Sequence, residues 1–313
     1  MRLFASTRNL FRIGRGRPAA VALLAGLSLL LLFPEYAPWH IGQLALFDQY
    51  QRVFPRRPAS QPVLIVEIDE ASLKQIGQWP WPRNRTADLI DAISANNPLA
   101  IGLDFYMPEP DQTSPERVAD NLPRGEEKLA SHLRTLPSHE QRLAQALARA
   151  PTVLGAAGFN FKTFTTSAGM RTAPLRVSGG DILPHLRRFP YVLASLPELQ
   201  AAARGQALLS VDLDAGVVRR IPLIAAINDQ PVASLAMEML RIATGSDSVE
   251  VQMGTAGVES VRVADLTVPT QNNGEVWLHF AKASADRYVS ATDVLAGKVP
   301  AGRFETKLVL VGL

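Results

Sequence analysis

VLIVEIDEASLKQIGQWPWPRNRTADLIDAISANNPLAIGLDFYMPEPD, residues 63–111, decides the fold. Residues 63–68 are a short apolar, β-branched run, the pattern of a strand buried on both faces. Residues 71–76 read as a short helix stopped by Gly77. Residues 84–96 carry Leu89, Ile90 and Ile93 at helical spacing and end at Asn96-Asn97-Pro98. Residues 99–103 form the next strand. Each strand ends in an aspartate, Asp69 and Asp104. Two strands joined through helices predict a parallel βαβ-like unit with a right-handed crossover.

Outward from this unit, the C-terminal side reads as follows. Residues 108–123 are polar and Pro-rich, a surface loop. Residues 126–150 are helical, and 152–156 are a third strand. Residues 159–180 lack a clear period. Residues 207–211 and 217–221 flank a turn in the manner of a hairpin. Residues 223–227 are a strand, and 232–243 an amphipathic helix capped by Thr244-Gly245. Strands follow at 258–263 and at 276–280, the latter entered through Asn272-Asn273-Gly274. A short helix at 291–295 and a buried strand at 307–312 complete the pattern. It predicts an α/β fold: a mixed, largely parallel central sheet flanked by helices, with a β-rich C-terminal part, behind one N-terminal transmembrane helix. A central strand so close to residue 313 suggests a piece of a longer protein.

On the N-terminal side, residues 18–33 (PAAVALLAGLSLLLLF) carry no charge. At 1.5 Å per residue they span about 24 Å as a helix, slightly under a hydrocarbon core of about 30 Å. Tyr36 and Trp39 suit the far interface, and five arginines (2, 8, 12, 15 and 17) precede the run. Those arginines predict a cytoplasmic arm at 1–17, a signal anchor at 18–34 and an exported domain at 40–313. A cleaved signal peptide and a buried helix are the alternatives; Glu35, Tyr36 and the prolines spoil a cleavage site. Residues 40–54 have helical spacing and link anchor to domain.

The formal charge of +3 comes from the arm. Subtracting its five arginines from the 32 basic residues leaves 27 against 29 acidic ones. A near-neutral body argues against a nucleic-acid surface. With no cysteine in the chain, disulfides and thiolate metal sites are excluded. The five histidines show no zinc spacing, and there is no P-loop, GxGxxG or GxSxG element.

The candidate ligand contacts are Asp69, Trp79, Trp81, Arg83 and Asp104. Strand-end carboxylates in an open α/β sheet sit where ligands bind, or else they shape turns. The Trp79-Pro80-Trp81-Pro82 loop offers apolar area for recognition or plugs the sheet top, and Arg83 can pair with Asp69 or with a ligand carboxylate. Asp212-Leu213-Asp214 resembles the nucleophile motif of haloacid-dehalogenase-type phosphatases, without the usual hydroxyl residue after the second Asp; its other reading is a β-turn. Arg219-Arg220 holds an anion or makes a surface salt bridge. No cofactor or metal is expected.

The blocks VLIVEIDEASL, GQWPWPR, AIGLDFYMPEPD, VDLDAGVVRRIPL, SLAMEMLRIATG and VSATDVLAGKVPAGRFETKLVLVGL follow in this order behind an apolar anchor. The chain resembles the type-two CHASE sensor family over residues 40–313. It departs from that pattern at Ala215, where the family more often has Gly, and in a bulky segment at 111–139. The resemblance implies an extracytoplasmic sensor anchored by one N-terminal helix and continued by further membrane helices and a cytoplasmic output domain, with an adenylate/guanylate cyclase the first expectation. The implied partners are the membrane, a small-molecule ligand and a second copy of the chain as a homodimer. An exported phosphohydrolase using Asp212 and Asp214, and a purely structural dimerisation domain, are the rival functions.

Overall fold

A computed structural model of the chain describes residues 17–31, 38–162, 169–211, 213 and 216–313. Two compact units divide it: the residues up to Pro58 with His279–Lys282, and Ala59–Leu278 with Ala283–Leu313.

The first unit contains the helices Arg17–Leu31 and Pro38–Val53. The first helix has 15 residues, which gives about 22 Å. No helix among the described residues is long and apolar enough to cross a membrane. The predicted anchor is thus helical as far as Leu31, and its last three residues lie outside the described ones. Segment 279–282 clips to the end of the second helix. Phe280 N–H donates to Gln51 Oε1 at 3.1 Å, Arg56 N–H donates to Phe280 O at 2.8 Å, and His279 Nε2 lies 2.9 Å from Phe54 O.

The second unit holds the strands β1 (Val63–Glu67), β2 (Ala100–Leu103), β3 (Thr152–Phe159), β4 (Leu175–Ser178), β5 (Arg188–Phe189), β6 (Tyr191–Leu193), β7 (Gly205–Leu208), β8 (Arg220–Pro222), β9 (Ile224–Ile227), β10 (Gln230–Ala233), β11 (Val249–Gly254), β12 (Gly257–Val263), β13 (Leu266–Pro269), β14 (Glu275–Trp277), β15 (Tyr288–Ser290) and β16 (Leu308–Gly312). The main sheet runs β15-β1-β16-β2-β3-β7 in parallel, with β6 antiparallel to the end of β3. The predicted parallel relation of β1 and β2 holds, but they are not neighbours. β16 lies between them, with Leu310 in register with both Ile65 and Gly102.

Helices cover both faces because β1, β2 and β16 are apolar on both. On one face Leu64, Val66, Ile101, Leu103, Val309 and Val311 pack with Ile90 and Ile93 of helix Arg83–Ser94 and with Leu143 and Leu147 of helix His139–Arg149. Each such fully buried side chain contributes roughly 2 kcal/mol. The other face packs Ala100, Val153, Ala207 and Leu310 against helix Leu235–Thr244. Gly102 makes this close approach: a Cβ there would meet Met239 Sδ at 2.4 Å. A second core lies around β9, β11 and β12, with Ile224, Val249, Val251, Val258 and Val261 buried. It forms the β-rich part expected from sequence.

Four expectations are corrected. Residues 126–150 form two helices, Glu127–Leu133 and His139–Arg149; Pro137 interrupts the run and Ser138 caps the second by accepting from Glu140 and Gln141 N–H. The loop at 108–123 contains the helix Pro115–Asp120, with proline at its first position. Residues 207–221 are not a hairpin: β7 joins β3 in parallel while β8 pairs with β14 in another sheet. The helix at 232–243 starts at Leu235, because Val232 and Ala233 belong to β10, paired with β9.

Candidate functional site

The carboxyl ends of β15, β1, β16 and β2 lie side by side. Ile68 N–H donates to Gly312 O at 2.7 Å and Asp104 N–H to Val311 O at 2.8 Å, so Asp69 and Asp104 flank the end of β16.

Their chemistry differs. Asp69 caps helix Glu70–Ile76. Its Oδ1 accepts from Ser72 N–H at 2.8 Å, Ser72 Oγ at 2.6 Å and Ser290 Oγ at 2.9 Å. Burial raises the pKa of this carboxyl, but the hydrogen bonds from Ser72 and Ser290 outweigh it and hold the group below its ordinary value. Ser72 Oγ also accepts from Thr292 N–H at 3.0 Å, tying β15 and its following helix to the same point. The turn-shaping role weighed for Asp69 is therefore present in full. Asp104 is the opposite case. No described residue hydrogen-bonds its carboxylate, and desolvation alone raises its pKa.

The tryptophans lie beneath this edge. Trp81 is 2% exposed, and its indole N–H donates to Gly77 O at 2.9 Å. Trp79 is half-buried and stands edge-on to Trp81 and to Phe105, with centroids 5.7 and 4.8 Å apart. The loop therefore carries the packing role expected of a plug, with Trp79 at its rim.

Arg83 turns away from Asp69. Its backbone N–H donates to Asp111 Oδ2 at 2.8 Å, and its guanidinium is buried near Asp111 and Glu140. Desolvation lowers the Arg83 pKa against the pull of these two acids. Asp111 is the hub of a polar knot. It also accepts from Thr113 N–H at 2.8 Å and Thr113 Oγ1 at 2.7 Å, and lies 2.9 Å from His139 Nδ1. Burial raises the Asp111 pKa, and these bonds bring it below the ordinary value. Glu140, also buried, takes Asp111 N–H, Ser114 Oγ and Ser138 Oγ.

Glu140 reaches into a cleft of about 830 Å³ lined also by Glu116, Arg117, Asp120, Arg134 and Glu198. The Glu198 carboxyl is pushed up by burial and then by repulsion from Glu140 and Glu116. None of the five predicted contacts lines this cleft. They divide instead into a strand-end pair, an aromatic plug and one member of the knot. Asp111, His139, Glu140 and Glu198 were missed from sequence. Asp111-Gln112-Thr113 has the look of an Asx turn, but its approach to Arg83 and His139 rests on tertiary contact alone. Arg220 makes the salt bridge weighed for it, 3.4 Å from Glu275, with its guanidinium over the Trp277 ring. Asp212 and Asp214 lie outside the described residues. Among the described residues, no three His, Asp or Glu side chains are grouped to hold a metal ion.

A parallel sheet covered by helices on both faces, with polar groups gathered at its strand ends, places the chain among open-sheet α/β domains. Residues 20–313 match the family model of the CHASE2 domain, and the chain belongs to that family, whose members are extracellular sensory domains. Comparison with curated proteins found no match, and comparison with solved structures found none.

Proposed function

We propose that this chain is the exported sensor of a bacterial transmembrane receptor. Residues 18–34 anchor it, the arginine arm stays cytoplasmic, and ligand-dependent change in the domain controls a cytoplasmic output enzyme, an adenylate/guanylate cyclase in the first instance. The observation that carries this reading is the family match running from residue 20 to 313 directly behind five arginines. The exposure of Val21, Leu23, Leu24 and Leu29, each above half, supports it, since an uncharged helix apolar on all sides suits lipid. Within the domain, strand-end Asp104 and loop residue Trp79 are assigned to ligand contact, because no described residue hydrogen-bonds the Asp104 carboxylate and Trp79 is half-buried. The helix Pro38–Val53 carries the output. A ligand shifts such a receptor only by binding its two states unequally.

Alkaline-phosphatase fusions in a bacterial host test the topology. A fusion after residue 160 is expected to be active and one after residue 15 inactive. An inactive fusion at 160, with the protein made at normal level, overturns the exported placement.

A further inference from the structure

We infer that a cavity remote from the strand-end edge binds a small oxyanion. It has a volume of about 200 Å³ and lies between β7, the helices Pro197–Ala202 and Leu235–Thr244, and residues 171–174. The residues that matter are Arg171, Gln200, Arg204, Gln206, Glu238 and Arg241.

The only acid among them is already occupied. Arg241 donates to both oxygens of Glu238, Nε to Oε2 at 2.8 Å and NH2 to Oε1 at 2.7 Å, and its third nitrogen donates to Ser246 O at 3.0 Å. The pair is buried, with Glu238 1% exposed. Gly205 makes room for it: a Cβ there would meet Glu238 Oε1 at 2.3 Å. A cationic ligand therefore finds no free carboxylate in this cavity.

The cations are not balanced in the same way. Arg204 makes no hydrogen bond or ion pair with any described residue; Arg171 donates its backbone N–H to Gln200 Oε1 at 3.3 Å, and its guanidinium reaches only Ala201 O at 3.4 Å. Three guanidiniums around one carboxylate leave an excess positive charge at the cavity; Asp247, acting on Arg241, is a more distant acid. Gln206 is the second, independent observation. It is 4% exposed and lines the cavity, yet its amide hydrogen-bonds to no described residue. Its amide is open to the cavity and can donate to an oxyanion in place of water. Two guanidiniums with no described acid partner and one amide N–H₂ match the oxygens of a carboxylate or phosphate. The volume limits the ligand to a small metabolite, below the drug-sized range of roughly 300 Å³ and above.

This assignment does not rest on the sensor reading, and the test separates the two. Titration calorimetry on the full 313-residue chain would use inorganic phosphate, succinate and the neutral succinamide. Saturable binding of phosphate or succinate, and none of succinamide, is expected. Which anion binds more tightly identifies the oxyanion source. Arg204→Gln and Arg171→Gln, both at exposed positions, should each weaken binding about tenfold or more while leaving the ligand-free melting temperature unchanged. The inference is overturned if neither anion binds, if succinamide binds equally, or if both variants bind like the parent. None of these outcomes bears on the fusion result above.

Discussion

Replacing Asp111 by alanine is expected to be among the costliest single changes in the domain. The carboxylate accepts from Arg83 N–H, from Thr113 N–H and Oγ1, and contacts His139. It is also one of the two acids that act on the buried Arg83 guanidinium. Hydrogen bonds to a charged group are worth about 1.5–3 kcal/mol each when one partner is removed, but they share one carboxylate and do not add. Stranding a buried cation costs about 3–5 kcal/mol. Glu140 still faces Arg83, so the expected loss is about 3–4 kcal/mol. For a domain of this size that is a fall in melting temperature of roughly 6–15 °C. Thermal unfolding followed by circular dichroism measures it. The sign of the pH dependence gives a second check. The folded pKa of Asp111 lies below the unfolded value of about 3.9. Its stabilisation is therefore complete above about pH 5 and is lost as pH falls through 3.9 toward the folded pKa. The gap between the parent and Asp111→Asn should narrow as pH drops from 7 to 3.5. A loss below 1 kcal/mol for the alanine variant at pH 7, or a gap indifferent to pH, refutes the account of the knot.

Other positions give sharper contrasts between packing and binding. Asp69→Ala should cost about 2 kcal/mol in chemical denaturation, from the lost cap and the stranded Ser72 and Ser290 hydroxyls, whereas Asp69→Asn should cost under about 1 kcal/mol because asparagine caps nearly as well; equal losses would show that the cap is not what matters. Asp104→Asn should raise the melting temperature at pH 7, since desolvation raises the folded pKa and the ionised group is unfavourable there; the gain should fade as pH falls through that pKa, and a destabilised variant contradicts it. Trp81→Ala should lose about 3–5 kcal/mol as a cavity in a closed core, while Trp79→Ala, at the rim, should lose clearly less. A similar loss at both positions would show that Trp79 is as much a part of the core as Trp81.

The sheet strands were legible where burial on both faces leaves an unbroken apolar run. Residues 63–68, 99–103 and 307–312 all became strands of the main sheet for that reason. Helices were legible where one face is apolar, as at Leu89, Ile90 and Ile93. Strand order was not legible, because nothing local tells β16 to insert between β1 and β2 across some 200 residues of sequence; that is settled by which apolar surfaces fill the gap. The hairpin at 207–221 failed for a related reason. Adjacent β-like runs flanking Leu213-Asp214-Ala215-Gly216 satisfy the local rule, yet β7 finds its partner in β3, whose buried Val153 and Ala156 lie in register with Gly205 and Leu208. β11, with Val249, Val251 and Met253 buried and Glu250 and Gln252 between them, does show the period-two signal; its parallel partner β4, Leu-Arg-Val-Ser, alternates over only four residues and lies far upstream.

Site residues were legible by type and not by availability. The aspartates that end β1 and β2 look alike in the chain, but Asp69 spends one oxygen on three donors, whereas no described residue donates to the Asp104 carboxylate. Arg83 and Arg204 differ in the same way: one is enclosed by Asp111 and Glu140, the other is exposed and pairs with no described residue. A group whose valence the fold already fills can bind a ligand only by breaking those bonds, at about 1–3 kcal/mol each. A sensor needs the converse, groups that the empty state leaves unsatisfied and the bound state completes, because only such differential contacts shift a population. That criterion is why Asp104 is proposed as a contact for donors and the Arg204–Gln206 cavity as one for oxyanions. Asp69, Trp81 and the Asp111 knot are what hold the frame around them.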